Sequence, residues 1–161
     1  MKKVIRYMVA DYLNTGGDNA ENYSFMGSGF SALDENPSAT VDETAYISDK
    51  SASGSITGYK NVFPFDTQFI SDDVAIKHIY DVARNQKTGG EAETDYVRVD
   101  LYANEDGTSY PARKFRVAIE VTGITGAGTE IMKVAGNLHQ VGNFVEGTFD
   151  TSSKKFTASS Q

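Results

Sequence analysis

Two histidines and twenty-two carboxylates are the side chains here that could move protons or hold a metal. His78 and His139 stand far apart in sequence, each in an ordinary context, so both read as structural residues. Paired carboxylates about 5–10 Å apart could hydrolyse a glycosidic bond. The acids fall mostly in loop-like sequence, where a solvated face explains them. There is no cysteine, which excludes disulfides and thiolate metal sites. Gly27-Ser28-Gly29 lacks the third glycine and the lysine of a phosphate loop. Asn104-Glu105-Asp106-Gly107 lacks the ligand spacing of a calcium loop. No serine or threonine sits in a nucleophile motif. The expectation is a protein with no catalytic residues, no metal and no cofactor.

The elements that would position any site are mostly strands. Fifteen glycines, three prolines and abundant Thr, Val, Tyr and Phe favour β-structure with glycine-marked turns. A short strand is expected over 3–9, then a loop over 14–22 around Gly16-Gly17-Asp18-Asn19. Residues 23–33 read as one strand, in which Gly27 and Gly29 mark a bulge or close backbone approach. Residues 54–65 read as another, with burial from Ile56, Val62, Phe63 and Phe65. The one good helix is 71–84. Ser71 is its expected N-cap, Asp72 and Asp73 lie in the first turn, and Ile76, Ile79, Tyr80 and Ala83 form its apolar stripe. Residues 94–103 and 112–122 alternate cleanly and predict a hairpin, with Arg98 and Asp100 facing Arg116 and Glu120 across it. Strands over 130–141, 144–149 and 155–157 follow, with a bulge near His139. The fold class is therefore mainly β: an antiparallel sandwich or partly closed barrel with one flanking helix.

At 161 residues the chain suits one domain, 1–161, able to bury about 70% of its unfolded surface. Its net charge is −7 and it contains no apolar run of membrane-spanning length. An acidic protein does not grip phosphate backbones. The start, Met1 to Ala10, faintly resembles a signal peptide, but Arg6 and Asp11 argue against secretion. Residues 1–22 read as a leader, either loose or added as a strand to a neighbour's sheet. Residues 34–54 are polar, net acidic and short of apolar side chains, so they cannot bury themselves at home. They read as an arm that folds against a sibling chain, with Tyr46-Ile47 as its anchor.

Several strings occur in order: Met26-Gly27-Ser28-Gly29-Phe30, Leu33-Asp34-Glu35-Asn36-Pro37, Asp49-Lys50-Ser51, Thr57-Gly58-Tyr59 and Phe63-Pro64-Phe65-Asp66. Ala83-Arg84-Asn85-Gln86, Ala112-Arg113-Lys114-Phe115 and Gly147-Thr148-Phe149 follow. From about Phe25 to Phe149 the chain resembles the major tail (tail tube) protein of long-tailed phages and prophages of Gram-positive bacteria. The resemblance implies a structural subunit that self-assembles into hexameric rings, stacked into a tube through which DNA passes during ejection. It implies a virion tail assembled in the host cytoplasm. The implied partners are further copies of the chain and the tape measure, tail tip and terminator proteins, with only transient, non-specific DNA contact and no membrane. A non-contractile tail is the first expectation, and the inner tube of a contractile tail or tailocin is the alternative. Residues expected to touch neighbouring subunits are Asp34, Glu35, Pro37, Tyr46, Ile47, Asp49, Lys50, Phe63 and Phe65. From other classes, a carbohydrate-binding β-sandwich using its nine tyrosines and a two-carboxylate glycoside hydrolase stay open.

Overall fold

A computed structural model describes residues 1–17, 20–105 and 107–159. It contains ten strands and one α-helix among these residues. Seven strands form a continuous antiparallel sheet in the order β2 (Tyr23–Phe25), β1 (Val9–Asn14), β7 (Glu93–Asp100), β8 (Ser109–Thr125), β9 (Lys133–Asp150), β6 (Val62–Gln68), β3 (Phe30–Leu33). The eighth, β10 (Lys155–Ala158), pairs with the far end of β9. β4 (Ala39–Thr44) and β5 (Ser53–Tyr59) pair only with each other. The expected mainly-β class, with its partly closed barrel and single helix α1 (Val74–Arg84), is the observed one.

The first strand is displaced from its expected place. Residues 3–9 are not a strand: Arg6–Met8 form a 3₁₀ turn and β1 begins at Val9. β1 lies between β2 and β7 and is buried on both faces, so its sequence does not alternate. Two of its buried residues are polar and both are satisfied. Asp11 pairs with Arg6 at 2.6 Å and accepts from the Tyr96 hydroxyl. Asn14 accepts from the backbone N–H groups of Gly16 and Asn22 at 3.0 and 3.1 Å. The stretch Val9–Asn14 of the expected leader is thus an integral sheet strand. The central part of the loop expected over 14–22, Asp18-Asn19, lies outside the described residues.

Residues 23–33 form two strands, β2 and β3, at opposite ends of the sheet. The turn between them needs its glycines. Gly29 has φ +89°, and a Cβ on Gly27 would lie 2.1 Å from the Phe25 ring. Because the two end strands are consecutive in sequence, the sheet curls toward closure. Residues 54–65 also divide. β5 leaves the body, Lys60-Asn61 interrupts it, and β6 enters the main sheet. Ile56 is consequently exposed rather than buried.

The helix starts three residues later than expected. Asp73, not Ser71, is the N-cap, and its carboxylate accepts from Ile76 N–H at 3.1 Å. Its buried stripe is Ala75, Ile76, Ile79 and Val82, while Tyr80 packs edge-on against Phe69.

The hairpin of β7 and β8 forms as expected, with Phe115, Val117 and Ile119 buried. The cross-strand charges are arranged differently. Register places Arg98 opposite Arg113, and Arg98 turns to Asp11 at 3.6 Å. Arg116 instead approaches Glu93 and Asp95 at 3.9 and 3.6 Å. Part of the turn, Asp106, lies outside the described residues.

The strands expected over 130–141 and 144–149 are one strand, β9. Its bulge lies just past the anticipated place: Gly142 to Phe144 stand opposite the single residue Phe115, with Gly142 at φ +72°. Two clusters share the sheet. One gathers Phe63, Tyr96, Phe115 and Leu138 under α1, with Phe63 4.8 Å from Tyr96 and 4.9 Å from Phe115. The other gathers Tyr12, Tyr23, Val97, Val99 and Phe149. β7 serves both, Tyr96 on one face and Val97 and Val99 on the other, so its apparent outer face is also interior.

Candidate assembly interface

The arm anticipated over 34–54 is displaced toward the C-terminus: residues 34–36 are bonded to β6, and a β-hairpin of β4 and β5, from Ala39 to Tyr59, stands off the body of the protein. Every residue of β4 is exposed, and β5 is exposed apart from Gly58. Seven residues of β5 at about 3.3 Å each make it roughly 20 Å long. The turn cluster Ser48-Asp49-Lys50-Ser51 between two Thr-, Val- and Ile-bearing runs is the sequence signal for it.

Register gives this hairpin two unlike faces. Val41 lies opposite Ile56 and Ala39 opposite Tyr59, whereas Asp42 lies opposite Ser55 and Thr40 opposite Gly58. Residues directly opposite point to the same face. Ile56 and Tyr59 differ in parity, and they share a face only because a bulge at Thr57-Gly58 adds a residue to β5. The outcome is an apolar face of Ala39, Val41, Ile56 and Tyr59. Val41, Ile56 and Tyr59 are 57%, 59% and 68% exposed, so among the described residues none closes over them. These three contact candidates were missed in the sequence, because Val41 and Ile56 look like ordinary strand residues until the pairing is known.

The tip is ordered by its own hydrogen bonds. Asp49 Oδ2 accepts from Tyr46 N–H at 2.9 Å, and Asp49 N–H donates to the Tyr46 carbonyl at 2.9 Å. This reciprocal clamp holds Ile47 at the apex, fully exposed, with Tyr46 71% exposed beside it. Lys50 is exposed on the same loop.

The base is tied down. Asn36 and Val62 exchange backbone hydrogen bonds at 2.8 and 3.0 Å, and Lys60 N–H donates to Ser38 carbonyl. Arg113 of β8 holds Glu35 with two bonds of 2.8 Å and lies over the Phe115 and Phe144 rings at 5.2 and 5.8 Å. Burial pushes the Glu35 carboxyl up, but the Arg113 hydrogen bonds and charge outweigh it and hold the group below its ordinary range. The same bonds raise Arg113.

The expected contact residues therefore divide into three kinds. Tyr46, Ile47 and Lys50 are displayed on the hairpin, together with Asp49 as its tip clamp. Asp34 and Pro37 are exposed at the base, and Glu35 is engaged within its own chain. Phe63 and Phe65 are a correction: at 0% and 3% exposure they are core residues of β6, facing α1 and the sheet interior. Their alternation with Pro64 marks a half-buried strand, not a surface motif.

The two histidines are separated by the fold. His78 is half-buried on α1, where burial and then Lys87 hold its pKa below the ordinary value. His139 Nε2 lies 3.1 Å from Glu120 Oε1, which also accepts from Asn137 Nδ2 at 2.8 Å. Those bonds lower the Glu120 carboxyl, the Asn137 contact first. Among the described residues no three His, Asp or Glu side chains converge to hold a metal.

No family model matches this sequence, and no curated protein matches it. Among solved structures the fold is similar to a chain in the cryo-EM structure of the anti-feeding prophage (AFP) baseplate, 6-fold symmetrised. The likeness has a TM-score of 0.53 at 9% identity and covers 91% of this chain and 96% of that one. At that identity the likeness is one of fold alone.

Proposed function

We propose that this protein is a non-catalytic structural subunit of a phage-type tail, which assembles with copies of itself into stacked six-membered rings. One observation carries the reading: an entire hairpin with an apolar face is displayed without cover from any described residue of its own chain. An isolated two-stranded hairpin is at best marginally stable in water, and its two outer edges are unpaired. It becomes stable when a second surface covers it. The fold shared with a chain of a 6-fold symmetrised baseplate supports a ring as the arrangement that supplies this surface.

The tube of a non-contractile tail is the form proposed. Six copies at −7 each carry −42, a charge that keeps a passing nucleic acid from adhering wherever it faces the bore. The likeness to a chain of a prophage baseplate favours a second reading, a baseplate ring or the inner tube of a contractile tail. Electron microscopy of the purified protein separates these. Open-ended tubes support the tail tube, and single rings that do not stack support the baseplate. A uniform monomer at every concentration would sink both.

A further inference from the structure

The sheet does not close completely. β2 pairs with β1 only from Tyr12 to Asn14, and Met26 N–H still donates to the Asp11 carbonyl at 2.9 Å; beyond that bond the start of β1 and strand β3 line a gap together. Arg6 spans one end, donating to the Val9 carbonyl at 2.8 Å and the Leu33 carbonyl at 3.0 Å while it pairs with Asp11. The rest is a slot of about 720 Å³ whose lining includes Ile5, Tyr7, Tyr12, Phe25, Phe30 and Ala32. That volume lies in the range of about 300–1,000 Å³ typical of pockets that bury an apolar ligand. Ile5, Tyr7 and Phe25 are about half or more exposed, so the slot is open; it is mainly apolar, with Arg6, Asp11, Ser31 and Thr151 also on its lining.

We propose that this slot receives the hairpin tip of a second copy, with Tyr46 and Ile47 seated between β1 and β3. The inference rests on the assembly reading above and names its contact. Three observations carry it. The slot and the tip are both empty of the chain's own residues: no residue of 39–59 lines the slot, and Ile47 touches nothing. Their charges are complementary. The segment leading into the slot holds Lys2, Lys3 and Arg6 and no acid, whereas 39–59 holds Asp42, Glu43 and Asp49 against Lys50. Lys2 is held by an exposed pair with Glu105 at 3.0 Å and Arg6 by Asp11, so Lys3 is the base with most freedom to meet an incoming acid. Finally, a knob and a slot at different places on one chain make a head-to-tail contact, which closes into a ring when its rotation closes.

Because the chain has no native cysteine, the contact can be trapped directly. Ile47→Cys protein is mixed with Ala32→Cys protein, oxidised, and the mixed disulfide quantified by peptide mass spectrometry. Both positions are exposed, and Ser31→Cys replaces Ala32→Cys if the latter lowers the melting temperature. Exposed Lys87→Cys is the control partner. The Ile47–Ala32 cross-link should exceed the Ile47–Lys87 one by about 100-fold, because a docked pair reacts at an effective millimolar concentration. Equal yields from assembled protein would overturn the slot assignment. So would a preferential Ala32 link to Val4→Cys, which would mean that an N-terminal segment fills the slot. Assembly that is lost on removing the hairpin but gives no Ile47–Ala32 link refutes the slot and leaves the assembly reading standing. A chain that stays monomeric throughout refutes both.

Discussion

Two hairpins of this protein are drawn from similar material and meet opposite fates. β7–β8 and β4–β5 both mix β-branched residues with polar or charged ones. In β7 four consecutive residues, Tyr96 to Arg98 and Val99, are buried, because one core lies on each face of the sheet. In β4 no residue is buried, because neither face has a neighbour. Local preference makes both into strands. The number of surfaces that close over each decides whether its apolar residues become core or contact. Val97 and Val41 are chemically the same side chain, one holding the monomer together and the other available to hold monomers to each other.

Substitutions at the two sites should therefore separate folding from assembly. The largest loss is expected from Ile79→Asp, which places a carboxylate on the fully buried face of α1. A cost above about 4 kcal/mol should abolish the folded state, read as loss of far-UV dichroism and of the melting transition. Retained cooperative melting would mean that the helix does not cover the core as described. Phe63→Ala comes next, since it empties the space between Tyr96 and Phe115. It should cost about 3–5 kcal/mol by denaturant titration. A change as small as that of an exposed side chain would return Phe63 to the contact surface.

Glu35→Gln is expected to cost less, about 1–2 kcal/mol, because it weakens the two-bond clasp of Arg113 at the hairpin base. Its pH dependence has a definite sign. The folded-state pKa of Glu35 lies below 4.5, so the clasp contributes fully above pH 4.5 and is lost as pH falls through the folded value. The stability gap between parent and Glu35→Gln should thus be constant near neutrality and close in acid. A gap that widens in acid would refute the pairing.

The smallest effect on the monomer is expected from the hairpin itself. Deleting Thr40 to Ser53, or changing Val41 and Ile56 to Ser together, should alter monomer stability by less than about 1 kcal/mol. Assembly, followed by sedimentation, should nevertheless disappear. If the melting temperature collapses with the deletion, the hairpin is part of the fold and the contrast between the two hairpins fails.

Much of the architecture follows from sequence pattern alone. Alternation at Phe115, Val117 and Ile119 fixes one face of β8, and helical spacing fixes Ile76 and Ile79 on α1. A polar run with one apolar pair marks the arm and places Tyr46 and Ile47 in the open. These succeed because side-chain period is a local property of the backbone. β1 escapes notice because both of its faces are buried and it contains Asp11 and Asn14. Those residues read as surface until Arg6, Tyr96 and the Gly16 and Asn22 amides are brought to them.

Tertiary structure alone decided the rest. Whether Phe63 or Ile56 is core depends on which sheet each strand joins, and the two lie only seven positions apart. The apolar face of the hairpin exists because a bulge at Thr57-Gly58 overrides parity, and the slot exists because two consecutive strands end on opposite rims of one curled sheet. Composition and period are written residue by residue. Burial is set by what the chain brings back from a distance, and on this protein's hairpin it brings back nothing.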